Sequence, residues 1–271
     1  MPKFAANLTM LYNEYEFLDR FAAAAQDGFR GVEYLFPYPY PKEQLTEKLA
    51  TYKLVQVLHN LPAGDWAKGE RGIACLPARV GEFQDGVGKA IDYATALGCH
   101  QVNCLAGIAP EDVSSDLIYR TLVDNLRFGA AELSKAGIRL LIEPINRFDI
   151  PGFYLDRVGA AQRIIEDVGS PNLFIQYDLY HQQRSEGELI GNFKRHQALI
   201  RHVQLADNPG RNEPGTGEIN YPFVFAELDR AGYDGWIGCE YKPKAGTSAG
   251  LGWLADWAKR GKIAAAGGAA S

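Results

Sequence analysis

RLLIEPINRFDIPGFYLDRVGAAQRIIEDVGSPNLFIQYD, residues 139–178, is the stretch that decides the fold. It opens on one short apolar run, Arg139 to Glu143, and closes on another, Leu173 to Asp178. Such runs read as buried strands. Between them Val158, Ala161, Ile164, Ile165 and Val168 recur at helical spacing, and Gly169 follows as a stop. Strand, helix and strand in that order make a βαβ unit, which puts both strands parallel in one sheet.

Working outward, the unit repeats. Further candidate strands are Phe4 to Leu8, Gly31 to Leu35, Leu54 to His59, Gln101 to Leu105, Ile200 to Leu205 and Trp236 to Glu240, which brings the total to eight. Helical spacing links Phe17, Leu18, Phe21 and Ala25 in the first gap, Phe83, Val87, Ala90, Ile91 and Ala94 in the third, and Ile118, Leu122, Leu126, Ala130 and Leu133 in the fourth. Gly28, Gly98, Gly137 and Gly232 join Gly169 at expected helix ends. Eight units with no linker predict an α/β fold, a single (β/α)8 TIM barrel, with a doubly wound open sheet as the alternative. The length of 271 residues suits it, since such barrels take about 250.

One barrel domain is expected over residues 1–258, with a low-complexity tail at 259–271 ending in AAAGGAAS. The third and fourth strands start 47 residues apart, the widest gap, and the excess is the loop from His59 to Pro77. A loop of that length containing Trp66 and paired charges is expected to be a lid.

The composition, 46% apolar and 23% charged, excludes a disordered, collagenous or disulfide-scaffold chain. A net charge of -5 without a basic stripe argues against nucleic acid as a partner. No run approaches a membrane span and no secretory leader is visible, so a cytoplasmic protein is expected, with a homo-oligomer allowed. Cys75, Cys99, Cys104 and Cys239 show no C-x-x-C spacing and are expected to be buried and reduced.

In a barrel the chemistry gathers at the carboxyl ends of the strands. Four apolar runs there carry Glu143, Asp178, Gln204 and Glu240, spaced by 35, 26 and 36 residues, each one βα unit. Singly, Glu143 could be a strand-end ion pair, Asp178 a helix N-cap and Gln204 a satisfied core amide. Together, three converging carboxylates repel strongly unless a cation neutralises them. An all-oxygen donor set suits Mg²⁺ or Mn²⁺, with cobalt or zinc able to substitute.

LIEPINRFDIPGF from Leu141, QYDLYHQQRSEGEL from Gln176, ADNPGRNEPGTGEINY from Ala206 and IGCEYKP from Ile237 resemble the hydroxypyruvate isomerase family, a branch of the xylose-isomerase-like barrels. FAANLTMLY near the start, YLFPY at Tyr34 and the run from His59 match it too, so the resemblance spans Pro2 to Trp257. It implies that Glu143 and Glu240 are proton donor and acceptor, and that Glu143, Asp178, Gln204 and Glu240 ligate the metal. It also implies a carbonyl shift in a small 2-oxo acid: hydroxypyruvate to 2-hydroxy-3-oxopropanoate, or the four-carbon counterpart of a 2-oxo-tetronate isomerase, or a related ketose 3-epimerase reaction.

Such a substrate needs cationic and hydrogen-bonding contacts. His181 resembles the family's D-x-x-H contact, with a solvent-facing His as the plainer reading. Arg211 could clamp a carboxylate, and Lys242 shares the face of Glu240 if the eighth strand extends that far. His59 is expected at the same rim. Glu70 and Arg71 could close over the substrate, or form a surface ion pair. PGTGEIN at Pro214 is not a dinucleotide fingerprint, because it lacks the third glycine and follows a loop. Two other classes compete: a phosphodiesterase of damaged DNA, which needs a His-rich multinuclear zinc site and a basic groove, and a non-catalytic binding barrel.

Overall fold

A computed structural model describes residues 2–257 of the chain, and the expected tail lies outside them. Eight parallel strands close into a barrel: β1 (Lys3–Asn7), β2 (Gly31–Glu33), β3 (Val55–Asn60), β4 (Gln101–Cys104), β5 (Arg139–Ile142), β6 (Leu173–Asp178), β7 (Ile200–Leu205) and β8 (Trp236–Cys239). β8 pairs with β1, which excludes the open sheet. All eight expected strands are present, with ends that agree or differ by one or two residues. β5 stops at Ile142 because Pro144 has no N–H to continue the ladder.

The helices form the outer layer: α1 (Arg20–Gln26), α2 (Lys42–Tyr52), α3 (Val80–Leu97), α4 (Ser115–Lys135), α5 (Val158–Val168), α6 (Leu179–Ser185), α7 (Leu189–His196) and α8 (Tyr221–Arg230). Gly98 and Gly169 cap α3 and α5 in the left-handed conformation, where a Cβ would be strained. α2 lacks an obvious period because it buries only Leu45 and Leu49. α4 buries Ile118, Leu122, Leu126, Ala130 and Leu133, the set its sequence spacing marks. Leu126 is fully buried. Leu126→Ala is expected to cost about 2–5 kcal/mol by cavity formation, read as a lower urea midpoint at unchanged slope.

Inside the barrel, chemistry changes with height. Ala5, Val57 and Leu141, with Phe174 and Trp236 against them, plug the amino end, and Leu58 of the same cluster reaches the cavity above. Gly31 belongs to this layer because the Trp236 ring fills the place of its side chain: a Cβ would lie 2.7 Å from that ring. Above the plug Asn7, Glu33, Asn103, Gln176, His202 and Gln204 form a buried polar layer. Apolar packing ends there, and the polar groups face the open carboxyl ends of the strands.

The segment from His59 to Pro77 is not a loop of one character. Ile73, Ala74 and Cys75 are buried, Cys75 N donates to Ala106 O, and Asn125 Nδ2 donates to Ala74 O. Its second half is therefore core, and only the tip around Trp66 and Arg71 overlooks the mouth. All four cysteines are buried and unpaired. Among the described residues no helix is long and apolar enough to cross a membrane.

Candidate active site

A cavity of about 1290 Å³ opens at the carboxyl ends of the strands. Glu143 and Glu240 reach it from one residue beyond β5 and β8, while Asp178 ends β6 beside Gln204 of β7, its register partner. Ligand atoms of Glu143, Asp178, His181 and Glu240 lie within 4.8 Å of one another. The three acids are 5%, 2% and 8% exposed, too little for water to screen their mutual repulsion.

Burial, with the charges of Glu240 and Asp178 added, holds the Glu143 carboxyl well above the usual range. Burial raises Asp178 as well. Burial pushes Glu240 up to about 8 although Arg211 pulls the other way. Asp178 Oδ1 accepts from Tyr180 N at 2.7 Å and His181 N at 3.3 Å, so the residue is indeed the N-cap of α6. Its Oδ2 is buried without a hydrogen-bond partner. A buried carboxylate oxygen without a donor is costly, and a cation is what would satisfy it. The donor set fits a divalent ion.

His181 plays a different part. Asn146 Oδ1 accepts from Asp149 N at 2.9 Å, which turns Asn146 Nδ2 onto His181 Nδ1 at 2.7 Å. The proton of a neutral ring then sits on Nε2. Burial, with Arg211 and Arg184 nearby, depresses the ring's pKa well below the usual value and keeps it neutral. Nε2 lies 3.9 Å from Glu143 and 3.8 Å from Asp178, so its N–H faces the cavity as a donor. Without a free lone pair there, it suits a substrate oxygen better than a metal. The solvent-facing reading of this residue fails.

Arg211 Nη2 donates to Glu240 Oε2 at 2.6 Å, and its Nη1 lies 3.5 Å from Asp149. The guanidinium stands over Tyr180 at 5.0 Å. Its backbone is left-handed, with φ 54°, a conformation that costs about 1–2 kcal/mol. The buried Asp207 carboxylate shapes this loop by accepting from Asn208, Gly215, Gly217 and Ile219 N–H groups. Lys242 lines the cavity although β8 ends at Cys239; its N–H donates to Arg211 O, so the loop and not strand alternation places it. Arg71 lines the cavity too, stacked 4.1 Å over Trp66.

Two expected contacts are corrected. His59 is fully buried behind β3, with Nδ1 against Asn60 O and its ring edge-on to Tyr38. Leu58 and Asn60 line the cavity, and strand alternation turns the residue between them to the helix side. Burial lowers its pKa to about 4. Glu70 is outside the cavity: it accepts from Arg79 Nη1 and Asp65 N, both at 2.5 Å, and ties down the loop. The ion-pair reading holds for Glu70, with Arg79 in place of Arg71.

Glu33, Asn7, Asn103 and Gln176 escape a search for strand-end acids in the second half of the chain. Asn103 Nδ2 donates to Glu143 Oε2 at 3.0 Å, and Asn7 Nδ2 donates to Glu33 at 2.9 Å and Glu240 at 3.3 Å. Gln176 and His202 lie two residues before Asp178 and Gln204, so period-two alternation is the signal that finds them.

A closed parallel barrel with buried acids converging at the carboxyl ends of its strands defines a TIM-barrel enzyme with a candidate metal site. The chain belongs to the xylose isomerase-like TIM barrel family, whose model matches residues 21–257. It is 58% identical to the hydroxypyruvate isomerase of Escherichia coli over 94% of this chain and 98% of that protein. The 2-oxo-tetronate isomerase of Cupriavidus necator is 49% identical, covering 96% of this chain and 100% of that protein. A crystal structure from Brucella melitensis, described as an AP endonuclease of family 2, is 42% identical and superposes with a TM-score of 0.93 over 95% of this chain and 99% of that one.

Proposed function

We propose that the chain is a cytoplasmic hydroxypyruvate isomerase, interconverting hydroxypyruvate and 2-hydroxy-3-oxopropanoate. The observation that carries it is the pair Glu143 and Glu240, two buried carboxyl groups of raised proton affinity at one cavity, with the neutral donor His181 beside them. The similarity to the Escherichia coli isomerase supports the choice of substrate.

The reaction moves a carbonyl one carbon along a three-carbon acid. One carboxylate takes a proton from C3, leaving an enediolate; a carboxyl group returns a proton at C2. The hydroxyl proton of O3 ends on O2. Glu143 and Glu240 are matched to both halves, because a group that holds its proton near neutral pH both takes and gives it. General acid–base help of this kind contributes about 10²–10⁴ in rate. His181 Nε2–H steadies the oxygen that gains charge. Arg211 fixes Glu240 through its 2.6 Å hydrogen bond, which makes it a positioning group for that carboxylate. Lys242 and Arg71 have no carboxylate partner among the described residues, so they are the cations left to meet the substrate's carboxylate. The tip of the 59–77 loop carries Arg71 over the mouth and serves as the lid.

Glu143, Asp178, Gln204 and Glu240 would hold Mg²⁺ or Mn²⁺, which supplies polarisation of the carbonyl and neutralises charge on the enediolate.

Kinetics on three- and four-carbon 2-oxo acids test the substrate. A higher kcat/KM on hydroxypyruvate is expected. A clear preference for the four-carbon acid makes the chain a 2-oxo-tetronate isomerase working through the same residues. The similarity to the Brucella melitensis protein raises a third reading, hydrolysis of damaged DNA, which the side chains fit poorly. None of the four ligand positions is a His, and the net charge is -5.

A further inference from the structure

Below the acid cluster, we propose that Glu33 is a positioning residue that turns the Gln204 amide so its carbonyl oxygen, and not its NH₂, faces the cation. The inference rests on the reading of Gln204 as a ligand. A carboxamide has two ends of similar shape and opposite chemistry, and only the oxygen end binds a metal. Something must therefore fix which end points up.

Glu33 supplies it. Its Oε1 accepts from Gln204 Nε2 at 2.7 Å and from Asn7 Nδ2 at 2.9 Å, and its Oε2 meets His202 Nε2 at 2.7 Å. A carboxylate only accepts, so it draws the NH₂ end of Gln204 and turns the oxygen away. Gln176 Nε2 donates to Gln204 Oε1 at 2.5 Å, which requires the same orientation. A flipped amide would set Nε2 against Gln176 Nε2, donor against donor, and its oxygen against the Glu33 carboxylate. Both contacts disfavour the flip.

Glu33 is itself held rigidly. It is 1% exposed, and Gly238 leaves the space it occupies: a Cβ at that position would overlap the Glu33 carboxylate. Asn7 Nδ2 bridges Glu33 to Glu240. The same acid thus braces two of the four ligands from beneath.

Metal-stripped protein titrated with Mn²⁺, followed by electron paramagnetic resonance, tests this without turnover. Glu33→Met keeps the bulk and removes both acceptor oxygens, so nothing draws the Gln204 NH₂ down and Kd is expected to rise about 10–100-fold. In a Gln204→Glu background the ligand has no wrong end, so Glu33→Met is expected to leave Kd unchanged or tighter. An equal loss in both backgrounds would mean that Glu33 only supports the fold, and an unchanged Kd in the single variant likewise overturns the inference. Should a variant fail to fold, a crystal structure of the native Mn²⁺-loaded protein decides: Gln204 Oε1 on the metal and Nε2 on Glu33 is expected, and any other arrangement refutes it. A native protein that binds no Mn²⁺ at all refutes the metal reading itself.

Discussion

Glu143→Gln and Glu240→Gln are each expected to lower kcat by about 10³ while raising the thermal midpoint of the metal-free protein. The two effects have opposite signs because they come from one cause. Each carboxylate is buried beside others that raise its proton affinity, which suits proton transfer and destabilises the charged fold. Gln keeps the shape and removes the charge, so the repulsion falls and the chemistry goes with it. Asn103 Nδ2, which donates to Glu143 at 3.0 Å, still finds an acceptor in the carboxamide oxygen of the Glu143→Gln variant, so the fold has no reason to change. The checks are steady-state rates on hydroxypyruvate, circular dichroism and a thermal melt in chelator. The double variant is expected to lose little more than either single one, as groups acting in one step are not additive. Undiminished turnover in either single variant would show that the glutamate replaced is not a proton-transfer group.

The strands were legible because buried parallel strands are nearly continuous apolar runs, and the convergence of Glu143, Asp178 and Glu240 followed from their positions at run ends. What failed was phase. β3 runs one residue past His59 to Asn60, and a one-residue shift sends a side chain to the other face of the sheet. His59 consequently lies among the helices and Asn60 at the cavity. β2 stops at Glu33, two residues short of the apolar run that contains it. Glu33 is thus a strand-end residue that looks like a mid-strand one. The apolar run does not reveal where pairing ceases, since Tyr34 and Leu35 are as hydrophobic as the strand. Lys242 reached the cavity by a loop contact with Arg211, which no periodicity encodes.

Chelation is expected to remove turnover and to lower the thermal midpoint, with Mg²⁺ or Mn²⁺ restoring both, and the stabilisation by metal is expected to grow as pH rises. In the metal-free protein Glu240 holds its proton up to about 8, against an ordinary value of 4.5. The folded state therefore binds more protons than the unfolded chain between those values, and its stability falls as pH climbs through that window. A bound cation keeps the carboxylates ionised and reverses the loss. Metal has to displace the proton, so its affinity should rise about tenfold per pH unit for each proton released below pH 8. At a free concentration of 100 Kd, binding adds about 2.7 kcal/mol of stability. Melts at pH 6, 7 and 8, with chelator and with Mn²⁺, measure this. A gap between the two curves that narrows towards pH 8 would show that the cation does not sit on these carboxylates.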